Sequence, residues 1–228
     1  KQEKSQLAVK FERLARYDSL TGVENRMAMQ TRLRDLFEHN RKSHDAIAVL
    51  WIDLDRFKEI NDSLGHMIGD ALLRAVVDRL SQTLDGRGYL ARFGGDEFVI
   101  ICSDMDRVSV QNIATEIVEI FDHGIEVGIH NLAVTASIGL AVGPQDGRDS
   151  DELMQHADLA LYQAKQNGRN QAISFNWSMK ERFHRLHEIE TGLRSALDNN
   201  ELVLHFQPIF DLHTGRISIC EALLRWNH

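Results

Sequence analysis

Charged and apolar residues first alternate at helical spacing over residues 2–17, where Leu7, Phe11, Leu14 and Ala15 form one stripe. That pattern predicts a surface amphipathic helix, with a signalling coiled coil as the alternative. A second helix is expected after Asn25, its cap, running to about Arg41 with Met27, Leu33, Leu36 and Phe37 on one side. Residues 46–54 make an apolar, β-rich run into which one acid, Asp53, intrudes, and residues 70–84 are apolar at helical period. Two short β-rich runs, 89–93 and 98–103, flank Gly94, Gly95, Asp96 and Glu97, the pattern of a hairpin with a tight acidic tip.

A helix over 108–121, strands near 125–129 and 132–142, a turn at 144–147, a helix over 150–166 and a strand over 171–175 continue the series. Beyond them a long charged helix, 177–200, leads to a fresh strand at 202–206. Hairpins mixed with helices predict an α+β fold with a largely antiparallel central sheet flanked by helices. Three segments are expected: a linker helix over 1–17, one domain over 18–175, and a linker helix with the start of a second domain over 176–228.

The 228 residues, 43% of them hydrophobic, suffice for one full core and part of another. A net charge of −8 opposes sequence-independent nucleic-acid binding, because the average surface repels a phosphate backbone. Cys102 lies inside an apolar run far from Cys220, so neither a disulfide nor a zinc site is expected, and a reducing cytoplasm fits. No apolar run approaches the roughly 18 residues of a membrane span, so no membrane contact is expected of this piece. The chain opens without methionine and stops at His228 as a new pattern begins. A larger parent protein is expected, with room for an upstream sensor domain and an anchor to the inner membrane.

Asp53 and Asp55, two apart at the end of a hydrophobic strand, share one face where the strand leaves the core. If the acidic hairpin neighbours that strand, Asp96 or Glu97 arrives beside Asp53, giving an oxygen-rich site suited to magnesium and incoming phosphates. Either segment alone reads equally well as a solvated loop or turn.

Several blocks decide between these readings. The stretch from Asp18 to Arg26 resembles DxLTGxxNR, and the stretch from Asp53 to Asp62 resembles DxDxFKxxND. Gly65-His66 and Gly69-Asp70 supply GHxxGD, Arg92 to Phe98 reads RFGGDEF, and Tyr162 to Asn170 resembles YxAKxxGRN. In order and spacing these resemble the GGDEF diguanylate cyclases, over Asp18 to about Phe175. The resemblance implies a nucleotidyl-cyclase palm-like fold, a homodimer and condensation of two GTP molecules into cyclic di-GMP. It further implies Mg²⁺ or Mn²⁺ on Asp53 and Asp96 with help from the Leu54 carbonyl. Asp96 would also help deprotonate the attacking hydroxyl, Glu97 would act as a metal or support group, and Lys58, Lys165, Arg169 and the amides of Arg56 and Phe57 would face phosphate. Asn61 and Asp70 match the guanine readers, an amide and a carboxylate that can select guanine over adenine by hydrogen bonding. Read without the resemblance, Asn61 is a helix cap and Asp70 a first-turn acid.

Leu202 to Phe206, Gln207-Pro208 and Glu221 to Trp226 resemble the opening of EAL phosphodiesterases, in which Glu221 would be a metal ligand. These domains form TIM-like barrels, and only a start is present, so phosphodiesterase activity is not expected of this chain. A GTP-binding domain that regulates an attached EAL domain is the alternative function. The product-binding RxxD of the family is replaced by Asp85-Gly86-Arg87-Gly88, so loss of feedback is expected.

Overall fold

A computed structural model describes residues 13–40 and 45–227 of the chain. In chain order the first unit holds β1 (Glu24–Asn25), α1 (Arg26–Asn40), β2 (Ile47–Asp55), α2 (Phe57–Leu64), α3 (His66–Leu84), β3 (Tyr89–Gly94) and β4 (Glu97–Ser103). Then come α4 (Arg107–Glu119), β5 (Ile125–Val127), β6 (His130–Leu132), β7 (Thr135–Gly143), α5 (Ser150–Gln166) and β8 (Ala172–Ser174), and α6 (Trp177–Ala196) starts at the end of this unit and belongs mostly to the next. The chain divides into compact units Lys1–Met179 and Lys180–His228, the second with the antiparallel pair β9 (Leu202–Phe210) and β10 (Ile217–Trp226).

The main sheet runs β1-β3-β4-β2-β7-β8. Its four central strands are antiparallel, and the edge strands β1 and β8 pair in parallel. Alternation along β2 sends Ala48, Leu50, Ile52 and Leu54 into one core with Leu72, Val76 and Leu80 of α3 and Val110, Ile113 and Ile117 of α4. The opposite face, Ile47, Val49 and Trp51, packs with Met29 and Leu33 of α1 and with Leu153, Ala157 and Leu161 of α5. Continued past Trp51, that second face arrives at Asp53 and then Asp55. The acids therefore emerge beneath α5. Helix α5 lies directly on the sheet, because a Cβ at Gly139 would stand 2.0 Å from the Ala157 carbonyl oxygen.

The expected stripe at Leu7 and Phe11 falls outside the described residues, whereas Asn25 does cap α1, its Oδ1 accepting the Ala28 N–H at 3.0 Å. Residues 57–64 form a helix that was not among the expected elements, separated from α3 by Gly65 at φ 85°. The strand expected over 132–142 is two strands, because β6 pairs with β5 in a separate ribbon while β7 pairs with β2. Alternation is common to both and cannot reveal which sheet each joins. Among the described residues no helix is long and apolar enough to cross a membrane. Cys102 and Cys220 are free thiols.

Candidate active site

Strand register builds the site. Asp53 on β2 is the Cα partner of Glu97 on β4 and of Ser137 on β7, and the Leu54 N–H donates to the Asp96 carbonyl oxygen at 3.2 Å. The hairpin tip thus sits against the strand end. Gly95 turns the chain there at φ 54°, where a side chain would be strained. Arg92 fixes the tip from below: its Nε and Nη2 donate to the Gly95 carbonyl at 3.0 and 2.7 Å, and its Nη1 to Asp18 Oδ1 at 3.0 Å. Asp18 also accepts from the Thr21 N–H and hydroxyl at 2.9 and 2.7 Å. Burial raises its pKa, but these bonds and Arg92 outweigh burial and hold the carboxyl below its ordinary value. The sequence offered Asp18 and Arg92 only as motif letters. Their one signal was charge at the ends of two separate blocks.

Burial pushes the Asp53 carboxyl up. Lys165, whose Nζ lies 2.6 Å from Oδ2, opposes this without reversing it, and Asp96 and Asp55 add to the rise. Glu97 is likewise raised by burial and then by the charge of Asp53, with Asp158 of α5 and Asp96 contributing. Carboxylates that disfavour each other's charge are relieved by a cation, and all the donors here are hard oxygens, so this set fits Mg²⁺ or Mn²⁺. Among the described residues no three acidic, His or Cys side chains already converge as a ligand set.

Asp55 is held differently from Asp53. It shares the face of Asp53, but its side chain is 3% exposed and its oxygens accept from the Ser137 hydroxyl, the Thr135 hydroxyl and the Asn170 N–H. It is a buried, satisfied carboxylate, unlike Asp53.

The remaining predicted residues lie on and beside α2, at the start of α3, in the loop after α5 and on β10. Arg56 stands at φ 58° ahead of α2 and offers no side-chain cap, Phe57 buries its ring, and Lys58 is exposed on the first turn. Asn61 lies against Gly69, where a Cβ would come 1.9 Å from Asn61 Oδ1. The glycine lets α3 approach α2 at Asn61, and Asp70, exposed, is next in the chain. Arg169, at φ 67°, places Nε 3.9 Å from Asp55 Oδ1. Asp55, Arg56, Glu59 and Arg169 line a cleft of about 780 Å³. Glu221 belongs to the second unit, exposed on β10 opposite Gln207.

Residues 15–171 match the family described as diguanylate cyclase, GGDEF domain, and residues 190–228 match the EAL domain. The cyclic di-GMP phosphodiesterase PdeR of Escherichia coli is 38% identical over 93% of this chain and 32% of its own length. The bifunctional diguanylate cyclase/cyclic di-GMP phosphodiesterase MucR of Pseudomonas aeruginosa is 37% identical over 94% of the chain and 31% of its own. The chain thus spans about a third of the length of these curated relatives. Among solved structures, the isolated GGDEF domain of TpbB (YfiN) from Pseudomonas aeruginosa superposes with a TM-score of 0.71 at 30% identity, covering 74% of this chain and 99% of that one. The coiled coil and GGDEF domain of DgcB from Caulobacter crescentus, in complex with c-di-GMP, gives 0.68 at 28% identity, covering 76% and 92%. By the strand-end acid, the hairpin set against it and these likenesses, the chain belongs to the diguanylate cyclase GGDEF-domain family and carries the start of an EAL domain behind it.

Proposed function

We propose that this domain condenses two GTP molecules into cyclic di-GMP. The observation that carries the reading is the placing of the Asp96–Glu97 tip against Asp53 by register and by the Leu54–Asp96 hydrogen bond. Asp53, Asp96 and the Leu54 carbonyl would hold Mg²⁺ or Mn²⁺, with Glu97 in support. The ion would neutralise charge at the α-phosphate and on departing pyrophosphate. Asn61 and Asp70 read guanine, while Lys58, Lys165, Arg169 and the amides of Arg56 and Phe57 hold phosphates. Asp96 accepts the proton as each 3′-oxygen bonds to the other nucleotide's α-phosphorus and the bond to the β-phosphate breaks, releasing two pyrophosphates. Because one domain holds one GTP, two copies must face each other, and the working form is a homodimer. GTP as substrate points to the cytoplasm, with an upstream sensor as the natural source of control.

A second reading, a GTP-binding domain that regulates an attached phosphodiesterase, is favoured by the Lys165 ammonium seated on Asp53 and by the likeness to PdeR, named a cyclic di-GMP phosphodiesterase. Phosphodiesterase activity is not proposed for residues 180–228, whose one candidate ligand, Glu221, is an exposed acid on a two-stranded hairpin. Incubation with Mg²⁺ and GTP at concentrations that allow dimers, followed by nucleotide chromatography, separates the two. Cyclic di-GMP with pyrophosphate is expected. GTP bound but unconverted would favour regulation, and no binding at all would sink both.

A further inference from the structure

We infer that Asp55 is a positioning residue for Arg169, acting through the backbone of Asn170 rather than by holding a cation; this rests on the cyclase reading of Arg169. Asp55 closes β2 two residues beyond Asp53, yet its side chain is nearly sealed from solvent, at 3% exposure. Oδ1 accepts the Ser137 hydroxyl at 2.7 Å, and Oδ2 accepts the Thr135 hydroxyl at 2.7 Å and the Asn170 N–H at 3.1 Å. Those donors come from β7 and from the loop that follows α5. A single carboxylate therefore fastens the end of the acid-bearing strand to the loop that carries Arg169.

That loop needs fastening, since Arg169 and Asn170 both stand at positive φ, 67° and 45°, a region that side chains disfavour. Its other anchors reach only α5 and β7: the Arg169 N–H donates to Ala164 O at 3.0 Å, Gln171 Nε2 donates to Ala164 O at 3.2 Å, and Gln171 O accepts the Ile138 N–H at 2.9 Å. Among these contacts, Asp55 supplies the link to β2. The separation of 3.9 Å between Arg169 Nε and Asp55 Oδ1 is too long for a hydrogen bond, so the guanidinium is oriented without being consumed. It stays half-exposed and lines the cleft with Arg56.

The test compares calorimetric affinity for GMP and for a GTP analogue with a methylene bridge between the α- and β-phosphorus atoms, both with Mg²⁺. With Arg169 assigned to the β- and γ-phosphates, which GMP lacks, Asp55→Ala should weaken the analogue about tenfold and leave GMP within about threefold. Asp55→Asn keeps an oxygen for Thr135 and Asn170 while the Ser137 hydroxyl turns to accept, so it should restore the wild-type ratio. In an Arg169→Ala background, Asp55→Ala should add no further loss, as expected of residues acting through one contact. Equal losses for both ligands, no loss for either, or additive losses in the double variant would overturn the assignment. Should Asp55→Ala fail to fold, Thr135→Val with Ser137→Ala, which leaves the carboxylate unaimed, must show the same selective loss. A wild-type protein that binds neither ligand sinks the cyclase reading and this assignment together; wild-type binding with unchanged variant ratios sinks this assignment alone.

Discussion

Asp53 and Asp55 are the same chemical group on the same strand face, and their partners make them different. Asp55 has three hydrogen-bond donors and almost no solvent, whereas Asp53 has one ammonium ion and acidic neighbours. Burying a carboxylate costs free energy that hydrogen bonds or counter-charge must offset. Asp55 is offset by fixed donors, and Asp53 by a flexible lysine that can leave. Replacing Asp53 or Asp96 with Asn should therefore lower cyclic di-GMP turnover by at least roughly 10²-fold, the scale of losing an electrostatic group at the transition state. Turnover near wild type in either variant would remove these acids from the chemistry. Asp70→Ala should weaken GTP binding by about 1–3 kcal/mol, by leaving guanine donors unpaired. Unchanged affinity in calorimetry would reduce Asp70 to an ordinary helix residue.

At the scale of elements, α5 has a closeness to the sheet that a single methyl group would destroy. A Cβ at Gly139 meets the backbone of α5, 2.0 Å from Ala157 O and 2.2 Å from Leu161 N, so no side-chain rotation can relieve it. Gly139→Ala should cost about 3 kcal/mol of unfolding free energy, and should disturb activity too, since Lys165 rides on the same helix. Denaturant unfolding that overlays the wild type would show that α5 slides freely. A second joint ties the residues ahead of β1 to α1. Glu24 accepts from Arg32 Nη2 and Nε at 2.6 and 3.0 Å and from Arg16 Nη2 at 3.0 Å, while the Arg32 guanidinium covers the Tyr89 ring. The Arg32 bonds hold the Glu24 carboxyl below its ordinary 4.5 against the upward push of burial, with Arg16 assisting. A depressed carboxylate stabilises the fold above its unfolded pKa and loses that contribution as pH falls through its folded value. Glu24→Gln should thus cost about 1 kcal/mol at neutral pH. The gap to wild type should close as pH drops below 4.5; a gap that stays constant in acid would assign the effect to packing.

For the whole molecule the consequential question is feedback. Position 87 carries the arginine nearest to the family's product-binding place, and the fold occupies it elsewhere. Its Nη2 donates to Glu116 Oε2 and to Thr83 O, both at 2.5 Å, joining the end of α3 to α4. Gly88 leaves little room for an acid, because a Cβ there would be 3.0 Å from Ile100 Cγ2 and 3.1 Å from Cys102 Sγ. Initial rates should accordingly hold steady as cyclic di-GMP reaches micromolar levels. Strong non-competitive inhibition that disappears in Arg87→Ala would reveal a shifted feedback site.

The apolar run of β2, the helix over residues 150–166, the acidic hairpin and the motif blocks were legible along the chain, because each is written in local periodicity or in adjacent residues. The short helix α2 was missed, since Phe57, Ile60 and Leu64 keep helical spacing over only eight residues, too short a window to separate a helix from a loop by pattern, and the break between β6 and β7 depends on partners far away in sequence. Sequence likewise named Asp53, Asp96, Lys165 and Arg169 as members of one set. Tertiary structure decided what each does at rest. Lys165 reached Asp53 only because Gly139 lets α5 settle on the sheet, and Asp55 is taken up by hydrogen bonds only because Thr135, Ser137 and Asn170 converge on it after folding. Spacing along a strand fixes the face a carboxylate shares, but its partners arrive from other strands and loops, and those distances exist only after folding.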